Sequence, residues 1–163
     1  MGLGLRVVGE NMKYLVRDQQ GRDLAGWLFG AAAWRATARD QRIGWDQTPR
    51  AARRPYLANN TRYLILPWVQ VAGLASHLLS QAAQRVSRDW QKKYGHPIYL
   101  LESFVEAGRF EGTCYRAANW LCVGQTCGRG RQGPNPMEPT QPRKDIYLYP
   151  LTRHFRRHLL EGT

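Results

Sequence analysis

The chain has 163 residues, 43% of them hydrophobic and 22% charged, which suits one soluble domain with a core of its own. Its longest apolar runs, such as residues 63–66, are too short to span a bilayer, and no charged segment followed by an apolar one opens the chain, so neither a membrane span nor a signal peptide is expected. Lys and Arg number 24 against 12 Asp and Glu, giving +12 and a pI near 10.3; this mostly arginine excess points to a polyanionic partner, DNA ahead of RNA, and not to a membrane.

Lys13 to Arg17 alternates like a strand, Asp18 to Asp23 is a turn with Gly21 suited to positive φ, and Leu24 to Gly30 returns, so residues 13–30 predict a hairpin. Residues 31–37 predict a short helical turn. Residues 38–61 are polar and Arg-rich, with Pro49 and Pro55, and predict a long loop with short helical pieces. A strand over residues 62–67 then runs through a joint at 68–75 into a helix that reaches Trp90 and ends at Tyr94-Gly-His-Pro97. Its apolar stripe is Val71, Leu74, Ala75, Leu78, Leu79, Ala82, Val86 and Trp90. Residues 98–106 form the best strand. A second helix is predicted over 113–123 with Gly124 at its end, a short strand over 125–129, a loop over 130–143, a final strand over 144–151 and a basic tail over 152–163. The order implies a single α/β domain with a mixed sheet and crossover helices.

Cys114, Cys122 and Cys127 read as reduced thiols of a cytoplasmic protein, and their spacing lacks the second ligand pair of a zinc site, so no metal is expected. The joint is more informative. A helix start presents free N–H groups and the positive end of the dipole, and the small residues Gly73 and Ala75 let an anionic ligand approach the backbone.

The element order and the segment Gln70-Val-Ala-Gly73-Leu-Ala75 resemble the GCN5-related N-acetyltransferase (GNAT) fold. In that family the helix after the fourth strand opens with Gln or Arg, two residues, Gly, one residue, then Gly or Ala, and its amides hold the pyrophosphate of coenzyme A. The resemblance implies a mostly antiparallel mixed sheet. Residues 13–151 also resemble the DruA family of the Druantia anti-phage systems, whose domain also occurs with transposases. The matching segments include Ile43-Gly-Trp45, Asn59-Asn60-x-Arg62-Tyr-Leu-Ile-Leu-Pro-Trp68, Leu74-Ala-Ser-His77, Glu102-Ser-Phe-Val105 and Gly112-Thr-Cys-Tyr-Arg-Ala-Ala-Asn-Trp120. Members carry a further N-terminal helical part, which this chain is expected to lack. Partner proteins of a defence or transposition complex follow from the same resemblance.

Three chemistries are then open. The first is a nucleic-acid-binding module on this scaffold: Arg39, Arg42, Arg50, Arg53, Arg54, Arg129 and Arg131 supply phosphate contacts, and Trp34, Trp45, Trp68 and Tyr56 supply stacking surfaces. The alternative is acyl transfer from acyl-coenzyme A, with Gln70, Gly73, Leu74, Ala75 and Ser76 holding the pyrophosphate and Glu102 or Glu106 as base. The acetyltransferase pattern places a tyrosine four residues before the glycine ending the second helix. Here that position is Trp120, an indole that cannot protonate a thiolate, and Tyr115 is expected to face elsewhere. The third is phosphodiester cleavage using Asp40, His77, Asp89 and Glu102, although few of the acids cluster as a two-metal site requires. Structural roles compete for the same residues: His77 as a core histidine, Asp40 in an ion pair with Arg39 or Arg42, Asp89 paired with an arginine such as Arg62, Asn59 and Asn60 at a cap or turn, and Trp90 and Trp120 in the core.

Overall fold

Alternation in the first strands fixes one edge of the sheet. In the computed structural model, which describes residues 9–69, 71–107, 111–126 and 142–161, β1 (Met12–Arg17) and β2 (Asp23–Ala31) form the predicted hairpin. Asp18 closes its turn by accepting hydrogen bonds from the backbone N–H groups of Gln20 and Arg22. After β2 come α1 (Thr37–Ile43), α2 (Gln47–Arg53), a 3-10 turn (Arg54–Tyr56) and β3 (Leu57–Ile65). Then follow α3 (Leu74–Tyr94), β4 (Leu100–Glu106), α4 (Glu111–Ala117), β5 (Leu121–Gln125), β6 (Lys144–Pro150) and α5 (Phe155–Glu161). The sheet order is β1-β2-β3-β4-β6-β5, with β3 and β4 parallel and the other neighbours antiparallel.

Period-two alternation divides the core between two faces. Ala58, Leu101 and Tyr147 face α3 and α4, joining Leu79, Val86, Trp90 and Trp120. Leu57, Leu100, Ile146 and Leu148 face the other way, onto Ile43 and Trp45 of the α1 region and Phe155 and Leu159 of α5. Trp90 and Trp120 are core residues as expected. Gly112 lets α4 lie against the sheet: a Cβ there would meet the Tyr147 hydroxyl at 2.8 Å.

The short helical pieces expected in the loop over 38–61 are α1, α2 and the 3-10 turn, while the end of that segment is not loop but the first half of β3. Each of these helices is two turns long, too short for periodicity to show, and depends on tertiary contacts. Asn59 and Asn60 lie in β3 and not at a cap. Their polar side chains disguise a strand, but both are buried and bonded, Asn59 to Glu102 and Asn60 to the carbonyls of Leu28 and Arg62. The helix expected over 113–123 ends at Ala117, because Asn119 turns into the left-handed region (φ 68°) and residues 121–125 take the open edge of β6. Of the strand expected over 125–129, Gln125 is the last residue of β5, and residues 127–129 lie outside the described residues. Val71 leaves the α3 stripe and is 63% exposed in the turn before the helix. Among the described residues, no helix is long and apolar enough to cross a membrane.

Candidate functional site

β3 and β4 pair only over Leu57–Asn59 and Leu100–Glu102. Beyond that, a bulge at Thr61 turns β3 toward β2, while Ser103 to Glu106 of β4 stay paired with β6. The two strands splay, and the wedge between them is a cavity of about 550 Å³ lined by Asn60, Arg62, Tyr63, Ser103, Glu106, Tyr115 and Lys144, among others. Side chains replace the ladder at its vertex. The Tyr115 hydroxyl donates to Asn60 Oδ1 at 2.5 Å, and Ser103 Oγ lies 2.9 Å from Tyr115 Oη and 3.0 Å from the Asn60 carbonyl. Tyr115 is held by stacking on Tyr147 and by the edge of Trp120.

A second groove, about 520 Å³, opens beside the start of α3 between β3 and α4, and Tyr63 lines both it and the wedge. Its mouth consists of Val71, Ala72, Gly73, Leu74, Ala75 and Ser76, with Thr113, Cys114 and Ala117 opposite. Gly73 sits at φ +73°, and a Cβ there would meet nothing within 4 Å, so the approach to the backbone is open. α3 has no side-chain cap. The Ser76 hydroxyl donates to the Gly73 carbonyl, as does the His77 N–H, and the N–H groups of Ala75 and Ser76 meet no acceptor among the described residues. Trp68 does not fill the groove: it is 51% exposed, with the Arg22 guanidinium 5.0 Å from its ring centre. Burial raises the Cys114 thiol to about 11, partly offset by a hydrogen bond with Tyr63, which keeps this groove wall neutral.

The candidate catalytic residues do not assemble. Glu102 is fully buried: Oε1 accepts from Arg39 Nη1 at 2.7 Å, and Oε2 accepts from Asn59 Nδ2 at 2.7 Å and the Ala33 N–H at 3.1 Å. Asp40 accepts from Arg39 Nε at 2.9 Å and Arg50 Nη1 at 3.1 Å. The oxygens of Glu102 are occupied away from solvent and those of Asp40 are held by two arginines, so both carboxylates act here as structural anchors. His77 is exposed on the first turn of α3, neither in the core nor against either cavity. Asp89 pairs with Arg85 and Tyr14, not with Arg62. Burial pushes its carboxyl up, but those hydrogen bonds and the charges of Arg85 and Arg88 outweigh burial and hold it below the ordinary range.

Arg39 and Arg50 are likewise corrected as phosphate contacts, since both are buried in the network with Asp40 and Glu102. Arg42 is exposed; Arg53 and Arg54 are half-buried, Arg54 donating to the Ala32 carbonyl. Gln70, Arg129 and Arg131 lie outside the described residues. Trp45 is buried and donates to the Leu159 carbonyl, and Tyr56 stacks on Tyr99, which leaves Trp34 and Trp68 as the exposed indoles. Tyr115, expected to face elsewhere, does the opposite. α4 ends at Ala117, Gly124 belongs to β5 and not to the helix end, and Tyr115 is the α4 hydroxyl that meets the wedge.

A parallel pair that splays beside an uncapped, small-residue helix start belongs to the GNAT class of fold. Structural comparison agrees. Spermidine/spermine N-acetyltransferase SpeG from Vibrio cholerae, in complex with manganese ions, aligns with a TM-score of 0.55 at 11% identity, over 90% of this chain and 69% of that one. Mutant forms of the same Vibrio enzyme give 0.56 at 10%, over 92% and 72%. A putative phosphinothricin N-acetyltransferase gives 0.55 at 17%, over 86% and 72%. At these identities the likeness concerns the fold. Within that class the chain belongs to the DruA family, whose profile, described as Druantia protein DruA, matches residues 4–133. A search of curated proteins finds no match.

Proposed function

We propose that this DruA-family domain binds acyl-coenzyme A in the groove at the start of α3 and transfers the acyl group to a nucleophile presented in the wedge. The observation that carries this reading is the open, small-residue mouth at Gly73, set beside a splay that holds a tyrosine hydroxyl at its vertex. The residues fit the ligand: the N–H groups of Ala75 and Ser76 suit a pyrophosphate, and the apolar walls of Ile65, Val69 and Ala117 suit a pantetheine arm. Coenzyme A would supply a thioester, which makes the acyl carbon electrophilic. Glu106, the carboxylate lining the wedge, takes the proton of the incoming amine or hydroxyl. Tyr115 gives its proton to the leaving thiolate, with Asn60 and Ser103 aiming its hydroxyl.

The test is a thermal melt with acetyl-coenzyme A. A ligand present at a hundred times its Kd adds about 2.7 kcal/mol and raises Tm by several degrees. No rise at millimolar ligand removes the reading and leaves the fold.

A second reading concerns the other side of the domain. We propose that the protein also associates with nucleic acid, as an anti-phage component. The exposed Arg35, Arg42 and Arg156 and the half-exposed Trp34 support this, together with the +12 charge. Binding of labelled DNA that strengthens as salt falls is the expected result; binding indifferent to salt counts against it.

A further inference from the structure

Trp34, in the link between β2 and α1, is 51% exposed, yet it is not loose. The guanidinium carbons of Arg54 and Arg50 lie 5.0 and 5.8 Å from its ring centre. Each arginine is fixed in turn: Arg54 Nη1 donates to the Ala32 carbonyl at 2.9 Å, and Arg50 Nη1 to Asp40 Oδ2 at 3.1 Å. Arg35 and Arg50 also line a small cleft of about 250 Å³ with Thr37 and Gln41; Asp40, Trp45 and Asp46 complete it. A preset indole, half open and surrounded by cations, provides a flat aromatic face plus anion contacts.

Resting on the nucleic-acid reading above, we infer that Trp34 is a stacking platform for one base of a single-stranded nucleic acid, with the flanking phosphates held by Arg35 and Arg54. Stacking is sequence-tolerant because every base has a π-face, and the adjoining arginines add charge attraction to the backbone. A duplex keeps its base faces against one another and offers none to the ring. The site is therefore specific for unpaired strands, whatever affinity the rest of the basic surface has for duplex.

The experiment measures fluorescence anisotropy of a labelled thymidine oligonucleotide, an abasic strand of equal length, and a duplex. Each is titrated with the wild type, Trp34→Ala and Trp34→Phe. Trp34→Ala is expected to weaken thymidine-strand binding about tenfold or more, within the range of base stacking losses. Trp34→Phe restores most of it, and affinities for the abasic strand and the duplex stay as they were. Unchanged thymidine-strand binding in Trp34→Ala overturns the platform, as does an equal loss on the abasic strand. Absence of binding to all three by the wild type overturns the nucleic-acid reading itself. A matching melt of Trp34→Ala and the wild type separates lost stacking from lost fold.

Discussion

Arg39 joins Asp40 on its own helix to Glu102, 63 residues away on β4, and all three are buried. Removing the guanidinium leaves Glu102 buried without a cation and Asp40 with Arg50 alone. Arg39→Ala is therefore expected to lose about 3–5 kcal/mol, read by urea denaturation. Under the proposed acyl transfer, Tyr115→Phe should lower kcat by about a hundredfold or more with little change in the KM for acyl-coenzyme A, because the lost proton acts only at the leaving thiolate. The Tyr14–Asp89 hydrogen bond ties β1 to α3 and makes that contact pH-dependent. Burial, then the hydrogen bond to Asp89, raises the Tyr14 hydroxyl, so its contribution is full below the ordinary value of 10.0 and fades as pH climbs past it. Asp89 is lowered from 3.8, so its contribution is full above that value and fades as pH falls through the folded one. Thermal melts across pH should show Tyr14→Phe flattening the alkaline fall and Asp89→Asn the acid one. The carboxylates Asp40, Asp89 and Glu102 were all visible in the sequence as notable; the neighbouring partner of Asp40, Arg39, was legible too, but Tyr14 beside Asp89 and Arg39 beside Glu102 were not, since they are distant along the chain.

Among the elements, the β3–α3 joint matters most. Ala75 lies on the first turn of α3 and faces the groove. Ala75→Leu keeps helix propensity and leaves the left-handed Gly73 untouched, so the melt of the free protein should change little. It fills the groove mouth, and the melting rise with acetyl-coenzyme A should disappear. The joint was legible because a strand period gives way there to a helix period across a glycine. α4 was not legible to its end. Apolar residues continue helically past Ala117, and only the open edge of β6 shows that residues 121–125 are extended. A comparable ambiguity hid the start of β3, where a pair of asparagines stands at positions that a strand usually gives to apolar side chains.

Across the described residues, net positive charge is carried by the surface and not by the buried network of Arg39, Asp40, Arg50 and Glu102. Arg39 and Arg50 are neutralised inside, so under the nucleic-acid reading the contacts expected beside α1 and α5 are those of Arg35, Arg42, Arg54 and the α5 arginines. Binding of a single strand should fall with salt, with a log–log slope steeper than about −2, which corresponds to three or more neutralised phosphates. Neutralising Arg35 and Arg42 together should make that slope shallower while the acetyl-coenzyme A melt stays unaltered, because the groove lies on the opposite face of the sheet from α1.

Composition and periodicity determined the α/β character, the hairpin, α3, β4 and β6, and the small-residue mouth before the long helix. These depend on spacing within a few residues, so local steric and hydrophobic rules suffice to reveal them. The tertiary structure alone decided that Tyr115 reaches the wedge, that Glu102 and Arg39 neutralise each other, and that Trp34 stays open while Trp45 closes. Each of those outcomes depends on side chains brought together from distant parts of the chain, where burial and pairing decide a residue's role and no local pattern records it.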